Sequence, residues 1–387
     1  MRFSAIRKLH ALVQRPGIIS FAPGQPDAST FPVDRFRQLA DEIIDRERGG
    51  VFQYIGTRGL APLIASVITY VAEKGIVATA GQTLVTEGSQ QGIDLVARVL
   101  VDPGDAVLVE LPSYVGAIAA FRASRARLVG VRLDADGIDL DHLRRQHAAL
   151  VGAGVRVKLL YAMPSFQNPA GVSYTVERRR ALLDLARELD LVIVEDDPYG
   201  DLYFDAAPHP PLKAFDTEHR VIYLSSFSKI LAPGLRTAFV IGDDALLAKI
   251  EIAKQSANLC GSALEQRIVL QCLDAGLIAE QKARLRPFYR GKRDVLLARL
   301  AAEMPAGVTW TRPTGGLFVW VTLPDGLDAD AMLAAAVDGG VAYVPGAPFF
   351  VEDILHNTLR LTFAAADETK LAEGVGRLAR VIAAAAR

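Results

Sequence analysis

The chain has 387 residues, of which 51% are hydrophobic and 22% charged, and its formal net charge is −1. This length accommodates two or three domains with sizeable cores. The 43 basic residues are scattered along the chain, which argues against a nucleic-acid-binding protein because such a protein needs a concentrated basic footprint. The two cysteines, Cys260 and Cys272, have no histidine nearby and the six histidines do not cluster, so we expect free thiols in a reducing compartment and no metal site.

The N-terminal residues carry charges every few positions and have no continuous apolar core, which is unlike a signal peptide. No apolar run reaches the length of a membrane span, so we expect a cytoplasmic protein. The next segment, RPGIISFAPGQPDASTFP, is rich in proline and glycine and is typical of an arm or lid. We therefore expect residues 1–40 to form an N-terminal arm that packs with the C-terminal part of the chain.

Between residues 81 and 242, short β-branched apolar runs alternate with helical patterns. This alternation predicts an α/β fold with a mostly parallel seven-stranded sheet between helices, within a large domain of residues 41–275. In such sheets ligands bind at the carboxyl ends of the strands, so the residues after each run are the candidates for a site. The runs are QTLVT, DAVLVE, ARLVGVRL, VKLLYA, LVIVED, RVIYLSS and TAFVIG.

Two early runs are followed by residues suited to a flat, phosphorylated ligand. Gly88, Ser89 and Gln90 follow the first run at the start of a predicted helix, where free backbone N–H groups favour a phosphate. The alternative is that Ser89 only caps the helix. Tyr114 follows the second run and is suited to stacking on a flat ring, although a tyrosine that only packs in the core or on the surface is the more common case.

Polar residues also follow the next runs. Asn168 follows the fourth run, with a plain Asn-Pro turn as the alternative. Three consecutive carboxylates, residues 195–197, end the fifth run, and burying them is costly unless cations meet them. Asp196 and Tyr199 are three residues apart across a tight turn and are suited to pointing the same way, while a metal site or a solvated turn are the alternatives.

The sixth run leads directly into Ser226, Ser228 and Lys229, and Arg236 follows shortly after. Burial of a lysine favours its neutral, nucleophilic amine. Hydroxyls and a guanidinium suit a phosphate dianion. The alternative, a surface lysine, is disfavoured by the apolar runs on either side. After residue 275 a long charged helical stretch and mixed strands predict a smaller α+β domain of residues 276–387.

A phosphate cradle, a stacking aromatic ring, an amide, a carboxylate and an imine-forming lysine together describe a site for pyridoxal 5′-phosphate. The pattern S-x-S-K-x-x-x-P-G-x-R, from Ser226 to Arg236, follows a D-x-x-Y motif at Asp196. With these motifs the sequence resembles the fold type I pyridoxal-phosphate enzymes, specifically the class I/II aminotransferases, over essentially its whole length. The resemblance implies the fold type I architecture, pyridoxal 5′-phosphate as the cofactor, and a transamination reaction. In this reaction an amino group is exchanged between an amino acid and a 2-oxo acid with ping-pong kinetics.

The resemblance also implies roles for individual residues. Lys229 would form the Schiff base with the cofactor and act as general base, and Asp196 would pair with the pyridine nitrogen. Asn168 and Tyr199 would bond the phenolic oxygen, and Tyr114 would stack on the ring. The phosphate would be held by Gly88, Ser89, Gln90, Ser226, Ser228 and Arg236.

Two further segments match the family. YIGTRG matches the segment whose tyrosine reaches the phosphate of the neighbouring subunit, so Tyr54 is the candidate and a homodimer with shared active sites is implied. NTLRLTFA matches the segment whose arginine grips the substrate α-carboxylate, which makes Arg360 the candidate. A bidentate arginine there would fix the amino acid with its Cα–H bond near the lysine.

The N-terminal arm resembles that of the 2-aminoadipate aminotransferase group, which includes kynurenine and broad-range enzymes. In that group a serine and an arginine of an N-terminal helix meet a distal carboxylate, and Ser4 and Arg7 stand at the matching positions. A solvated Arg7 is the alternative. Gly24 and Gln25 would lie where the arm passes the substrate. The candidate amino donors are 2-aminoadipate, glutamate, and aromatic or branched-chain amino acids, with 2-oxoglutarate as an acceptor.

Two other functions remain as alternatives at this point. The same site supports β-elimination, decarboxylation or racemisation, and consumption of 2-oxoglutarate in proportion to amino acid distinguishes transamination from these. A cofactor-sensing regulatory domain is the remote alternative. Such regulators carry an N-terminal DNA-binding helical domain, and this sequence begins directly with the arm.

Overall fold

The computed structural model describes residues 17–386. Its strands are β1 (Ile19–Ser20), β2 (Thr83–Thr86), β3 (Ala106–Leu111), β4 (Arg127–Asp134), β5 (Gly137–Ile138), β6 (Val157–Ala162), β7 (Val192–Asp197), β8 (Val221–Ser226), β9 (Ala238–Ile241), β10 (Thr309–Trp310), β11 (Phe318–Thr322), β12 (Val341–Ala342), β13 (Val344–Pro345) and β14 (Thr358–Thr362). Its α-helices are α1 (Val33–Glu47), α2 (Ala61–Ala72), α3 (Ser89–Leu100), α4 (Val115–Ala123), α5 (Leu140–Gly152), α6 (Val176–Glu188), α7 (Leu212–Phe215), α8 (Asp244–Asn258), α9 (Ala263–Asp274), α10 (Leu277–Glu303), α11 (Ala329–Asp338) and α12 (Glu368–Ala385).

The large sheet has the strand order β2-β9-β8-β7-β6-β3-β4-β5. The strands from β8 to β4 run parallel to one another, and β9 runs antiparallel to both β8 and β2. All seven apolar runs form strands of this sheet, so the predicted mostly parallel α/β architecture is confirmed. The sheet also has an eighth strand that the sequence analysis did not predict, the two-residue β5 paired antiparallel with the end of β4.

The central strands are buried on both faces, which explains their continuous apolar sequences. Two of the helices between them, α5 and α6, begin at side-chain caps. Thr175, for example, accepts a hydrogen bond from the backbone N–H of Arg178 at 3.1 Å and so starts α6 where the sequence pattern placed a helix. Long helix α10 includes Pro287 within its span.

The C-terminal part contains an antiparallel sheet of order β10-β11-β14-β13, flanked by α10, α11 and α12. Strand β1 pairs in parallel with β12, so the N-terminal segment is hydrogen-bonded to this part of the chain. The proposed division into residues 1–40, 41–275 and 276–387 stays a prediction. Within residues 17–386, the helices are too short or too polar to cross a lipid bilayer.

Candidate active site

A cavity of ≈ 530 Å³ opens at the carboxyl edge of the large sheet. Residues that follow five of its strands line the cavity, together with residues from β11 and β14. Because β9 is antiparallel to β8, Arg236, which precedes β9, lies at the same edge as the residues that follow β8. The cavity brings together these residues named from the sequence: Gly24, Gly88, Ser89, Gln90, Tyr114, Asn168, Asp196, Tyr199, Ser226, Ser228, Lys229, Arg236 and Arg360.

Lys229 stands in the short turn that follows β8. The Ser226 hydroxyl accepts a hydrogen bond from the backbone N–H of Ser228 at 3.0 Å, which fixes the start of this turn. The Nζ atom of Lys229 donates to the carbonyl oxygen of Gly24 at 3.0 Å and lies 5.8 Å from the centre of the Tyr199 ring. The amine therefore faces the cavity and meets the N-terminal segment across it.

The surroundings of Lys229 favour the neutral amine. Burial, together with the nearby charges of Arg360 and Arg236, lowers the pKa of Lys229 from 10.5 to about 8. Asp196 opposes this shift to a smaller extent. A lowered pKa gives the amine an appreciable neutral fraction at neutral pH, as a nucleophile or a general base requires.

Asp196, near the end of β7, is buried and has one unpaired oxygen. The hydroxyl of Tyr161 donates to its Oδ2 atom at 2.6 Å, whereas Oδ1 has no hydrogen-bond partner among residues 17–386. Burial raises the pKa of Asp196 from 3.8 to about 7, and the hydrogen bond from Tyr161 opposes the shift. A buried polar atom without a partner costs free energy, so the site is suited to a ligand that donates a hydrogen bond to Oδ1.

The other two carboxylates of the triplet are compensated within the fold. Glu195 accepts hydrogen bonds from two backbone N–H groups at the start of α7, and Arg179 lies 3.7 Å away. Asp197 accepts a hydrogen bond from the Tyr223 hydroxyl at 2.7 Å and lies 3.7 Å from the Lys74 amine. Of the three, Asp196 is therefore the one that faces the cavity with an oxygen available.

One end of the cavity has the features of an anion site. Gly88 precedes α3 with φ of 84°, and a Cβ atom there would overlap the Nη2 atom of Arg236. The Arg236 Nη2 atom donates to the carbonyl oxygen of Glu87 at 3.1 Å. Ser89 begins α3, and its buried hydroxyl has no partner in the described part of the chain. The helix N-terminus, the guanidinium and the unpaired hydroxyl converge there, as a phosphate requires.

Further groups surround this end. The Ser226 hydroxyl donates to the Ser228 hydroxyl at 2.7 Å. Tyr114 is half-buried, and its hydroxyl lies 3.4 Å from the Oε1 atom of Gln90. The Nε2 atom of Gln90 donates to the Gly116 carbonyl oxygen at 2.9 Å. The tyrosine ring thus borders the cavity beside the anion site.

Arg360, in β14, is a buried guanidinium that faces the cavity from the opposite side. Its Nη1 atom donates to Asn168 Oδ1 at 2.9 Å and its Nη2 atom donates to the Ala22 carbonyl oxygen at 2.8 Å. Its Nε atom has no partner, and no carboxylate among residues 17–386 forms an ion pair with it. Burial lowers the pKa of Arg360 from 12.5 to about 10. A buried, unpaired cation is costly, so this site is suited to an anionic ligand.

Residues 16–378 match the family described as aminotransferase class I and II. The chain belongs to this family. The predicted resemblance is thereby confirmed, and the protein is an aminotransferase.

This aminotransferase is similar to several named relatives over nearly their whole length. The chain is 42% identical to aromatic-amino-acid aminotransferase 1 of Thermococcus litoralis, over 99% of this chain and 92% of that protein. The structure of Pyrococcus horikoshii kynurenine aminotransferase in complex with PMP aligns at a TM-score of 0.96 with 42% identity, covering 99% of this chain and 95% of that one. That of the α-aminoadipate aminotransferase of Thermus thermophilus, complexed with N-(5′-phosphopyridoxyl)-L-leucine, aligns at 0.89 with 41% identity, covering 98% and 97%. These relatives agree with the predicted subgroup.

The aminotransferase depends on pyridoxal phosphate, as the family and these structures show. The site fits this cofactor in three observed features. The unpaired Oδ1 atom of Asp196 matches a protonated ring nitrogen, and the unpaired hydroxyl of Ser89 at a helix N-terminus matches a phosphate. Gly88 has no side chain where Arg236 must approach.

Two described residues named from the sequence do not line this cavity, and two others cannot be placed relative to it. Gln25 is exposed and does not line the cavity, although its neighbour Gly24 does. Tyr54 is 78% exposed and lies outside the cavity of its own chain. Ser4 and Arg7 lie outside the described residues. Their roles stay predictions.

The sequence analysis missed several residues of the site. Tyr161 bonds Asp196, yet in the sequence it is one aromatic residue within an apolar run. Phe318 lies under the Arg360 guanidinium, 4.2 Å from it, and packs edge-on against Tyr199. The small residues Gly116 and Ala119 of α4 also line the cavity, and nothing in their local sequence distinguishes them from ordinary helix residues.

Proposed function

We propose that this aminotransferase exchanges the amino group between an L-amino acid and a 2-oxo acid such as 2-oxoglutarate, with aromatic, branched-chain and acidic amino acids as candidate donors. The observation that carries the proposal is that Lys229, Asp196 and Arg360 face one cavity. Lys229 has a lowered pKa, and Asp196 and Arg360 each have a buried polar atom without a hydrogen-bond partner among the described residues. The relatives named for aromatic amino acids, kynurenine and 2-aminoadipate support this range of donors.

When bound, pyridoxal phosphate supplies an electron-accepting ring and a carbonyl carbon that takes up the amino group. Asp196 would keep the ring nitrogen protonated. Because Tyr161 bonds Oδ2, the Oδ1 atom is free to accept a hydrogen bond from the ring N–H group. The remaining contacts to the cofactor are assigned to residues at the same sheet edge. They are Gly88, Ser89, Gln90, Ser226, Ser228 and Arg236 for the phosphate, Tyr114 for the ring face, and Asn168 and Tyr199 for the ring oxygen.

Lys229 would bind the cofactor covalently in the resting enzyme. Once displaced by the substrate amine, its Nζ atom would take the proton from the substrate Cα, which the lowered pKa of about 8 favours. Arg360 would orient the substrate by binding the α-carboxylate of the substrate. Among the described residues, the Nε atom of Arg360 has no hydrogen-bond partner and the guanidinium forms no ion pair. The fixed carboxylate holds the Cα–H bond close to Lys229.

The substrate side chain would lie against the wall formed by Val115, Gly116, Ala119 and Phe318. Apolar and small side chains here suit an aromatic or branched-chain substrate. For an acidic substrate we propose Arg7 as the partner of the distal carboxylate, with Ser4, Gly24 and Gln25 along the arm. The two substrate classes thus differ in their dependence on Arg7.

A panel of L-amino acids with 2-oxoglutarate tests the proposal, with formation of glutamate and of the new 2-oxo acid as the readout. We expect equimolar products and parallel lines in double-reciprocal plots, as ping-pong kinetics require. Arg7→Ala should raise the KM for 2-aminoadipate and leave that for phenylalanine unchanged. Release of ammonia or carbon dioxide without consumption of 2-oxoglutarate would contradict transamination.

We further propose a homodimer in which Tyr54 reaches the phosphate site of the partner. Tyr54 is 78% exposed and Phe52, two residues before it, is 68% exposed, which supports a surface that a second copy covers. Co-expression of Lys229→Ala with Tyr54→Ala tests this, because each mixed dimer would contain one site with both residues intact. About one quarter of the sites should then be active by random mixing, whereas independent sites would give no recovery.

We also propose that the enzyme resides in the cytoplasm. Cys260 and Cys272 are both free thiols, which fits a reducing compartment. Fractionation of cells with an antibody against the protein checks this.

A further inference from the structure

Glu110, near the end of β3, is a fully buried carboxylate that does not line the cavity. Its Oε1 atom accepts hydrogen bonds from the backbone N–H of Met163 at 3.0 Å and from the Tyr174 hydroxyl at 2.5 Å. Its Oε2 atom accepts one from the Nε2 atom of Gln167 at 2.9 Å. These hydrogen-bond donors are neutral, so the carboxylate is held by directed hydrogen bonds, and burial raises its pKa to about 7.

Gln167 is the other half of this arrangement and is also fully buried. Its Nε2 atom donates both to Glu110 and to the Pro112 carbonyl oxygen, the latter at 2.7 Å. Its Oε1 atom accepts from the backbone N–H of Ala170 at 2.7 Å. Both ends of the amide are therefore satisfied in one orientation, which ties the turn after β3 to the loop after β6.

Both tied segments carry residues of the active site. The turn after β3 leads to Tyr114, and Asn168 directly follows Gln167 in the loop. The Oδ1 atom of Asn168 accepts the hydrogen bond from Arg360 Nη1 at 2.9 Å. A shift of this loop would therefore change the orientation of the buried guanidinium.

We propose that Glu110 and Gln167 form one positioning unit that sets the Asn168 amide and, through it, directs Arg360 toward the substrate carboxylate. Neither residue contacts the substrate. The proposal rests on the proposed role of Arg360 in binding that carboxylate. It adds that the affinity for the carboxylate depends on a buried acid behind the cavity wall.

The variant Glu110→Gln tests the unit with little change in volume. Its amide can still accept from Met163 and Tyr174, but its NH₂ group would face the NH₂ group of Gln167. Gln167→Met removes the amide altogether. Tyr174→Phe is the matched control, because it removes a buried hydrogen bond to the same carboxylate without touching the Gln167 side of the unit.

The measurements are KM and kcat for the best amino donor of the wild-type enzyme, the Kd of the holoenzyme for 3-phenylpropanoate by calorimetry, and thermal unfolding. We expect Glu110→Gln and Gln167→Met each to raise KM and Kd about tenfold, as loss of one buried hydrogen bond would, with kcat changed less than roughly threefold. Tyr174→Phe should lower the unfolding temperature and leave KM and Kd unchanged. The KM and Kd of the variant that combines Glu110→Gln with Gln167→Met should not exceed those of Gln167→Met by more than about threefold, because the two residues act as one unit.

The proposal would be overturned if the KM and Kd of both Glu110→Gln and Gln167→Met were the same as those of the wild-type enzyme. An equal rise in Tyr174→Phe would overturn it too, since the effect would then be general loss of packing. Should Glu110→Gln fail to fold, Gln167→Met carries the same test. Failure of the wild-type enzyme to transaminate any donor would instead refute the proposed function, and the affinity for 3-phenylpropanoate still tests the positioning unit by itself.

Discussion

The hydroxyl of Tyr161 donates to Asp196 Oδ2 at 2.6 Å and leaves Oδ1 of the same buried carboxylate without a partner in the described chain. Tyr161 belongs to β6 and Asp196 to the adjacent β7, so the pairing of two parallel strands sets this contact. The tyrosine both orients the carboxylate and opposes the rise of its pKa that burial causes.

Tyr161→Phe should therefore impair catalysis although Tyr161 is not among the residues assigned to contact the cofactor. Loss of the hydrogen bond raises the pKa of Asp196 above about 7, so the carboxylate is ionised only at higher pH and holds the ring proton less well. We expect kcat to fall roughly 10- to 100-fold, from a charge-assisted hydrogen bond worth about 1.5–3 kcal/mol. The acid limb of the pH profile should move to higher pH.

Tyr223→Phe is the control for this change, because it removes a buried hydrogen bond of 2.7 Å to the neighbouring Asp197. It should change stability but leave the acid limb in place. Equal pH profiles for the two variants would contradict a specific role of Tyr161.

Uptake of the cofactor by the apoenzyme should depend on pH through Lys229. The neutral amine is the reactive form, and its pKa is lowered to about 8, so the rate of uptake should rise with pH and level off above this value. Arg360→Met removes a positive charge that lowers this pKa, and should move the midpoint to higher pH. Stopped-flow absorbance between about pH 6 and pH 10 measures both profiles, and a midpoint near the ordinary lysine value in wild type would be inconsistent with the buried amine.

Replacement of Arg360 should separate substrate binding from stability. Arg360→Met removes two charge-assisted hydrogen bonds to a substrate carboxylate, so we expect KM to rise about 100-fold or more. The same change removes a buried cation that has no carboxylate partner among residues 17–386, but it also takes the donor away from Asn168 Oδ1 and the Ala22 carbonyl oxygen. These two effects oppose each other, so the stability of the apoenzyme should change by no more than about 2 kcal/mol. Steady-state kinetics and denaturant unfolding check the two effects, and a large loss of stability with unchanged KM would show that Arg360 is structural.

Gly88→Ala should weaken binding of the cofactor phosphate. A Cβ atom at this position would overlap Arg236 Nη2, and the backbone φ of 84° is unfavourable for alanine. A strain of about 1–3 kcal/mol predicts a roughly 5- to 100-fold rise in the cofactor Kd, measured by fluorescence titration of the apoenzyme. Gly234→Ala is the control, because a Cβ atom there meets no atom within 4 Å. Equal affinities of the two variants would refute the close approach of Arg236.

Much of the fold was predictable because each central strand is buried on both faces and so has a continuous apolar run in the sequence. The site residues at strand ends followed from the same reasoning, since Asp196 and Lys229 come at the ends of two such runs. Strand β5 was not predicted because two residues, one of them a glycine, give no pattern.

The contacts between strands could not be predicted from the sequence in the same way. The partner of Asp196 is Tyr161, 35 residues away, and their meeting depends on which strands are neighbours and in what register. Phe318 comes from a different sheet altogether, and its place under Arg360 depends on the packing of the C-terminal part against the large sheet. Such long-range relationships leave no local signal in one sequence.

Reduction of the holoenzyme with borohydride, followed by trypsin digestion and mass spectrometry, tests most directly whether Lys229 carries the cofactor. Trypsin does not cleave after a modified lysine, so an adduct on Lys229 leaves residues 221–236 as one fragment. Lys229 is the single lysine of this fragment, and the adduct therefore identifies the site without ambiguity. We expect the mass of one reduced phosphopyridoxyl group on this fragment and none on the same fragment of Lys229→Ala. An adduct on another lysine, or none in holoenzyme that shows transaminase activity, would contradict the account.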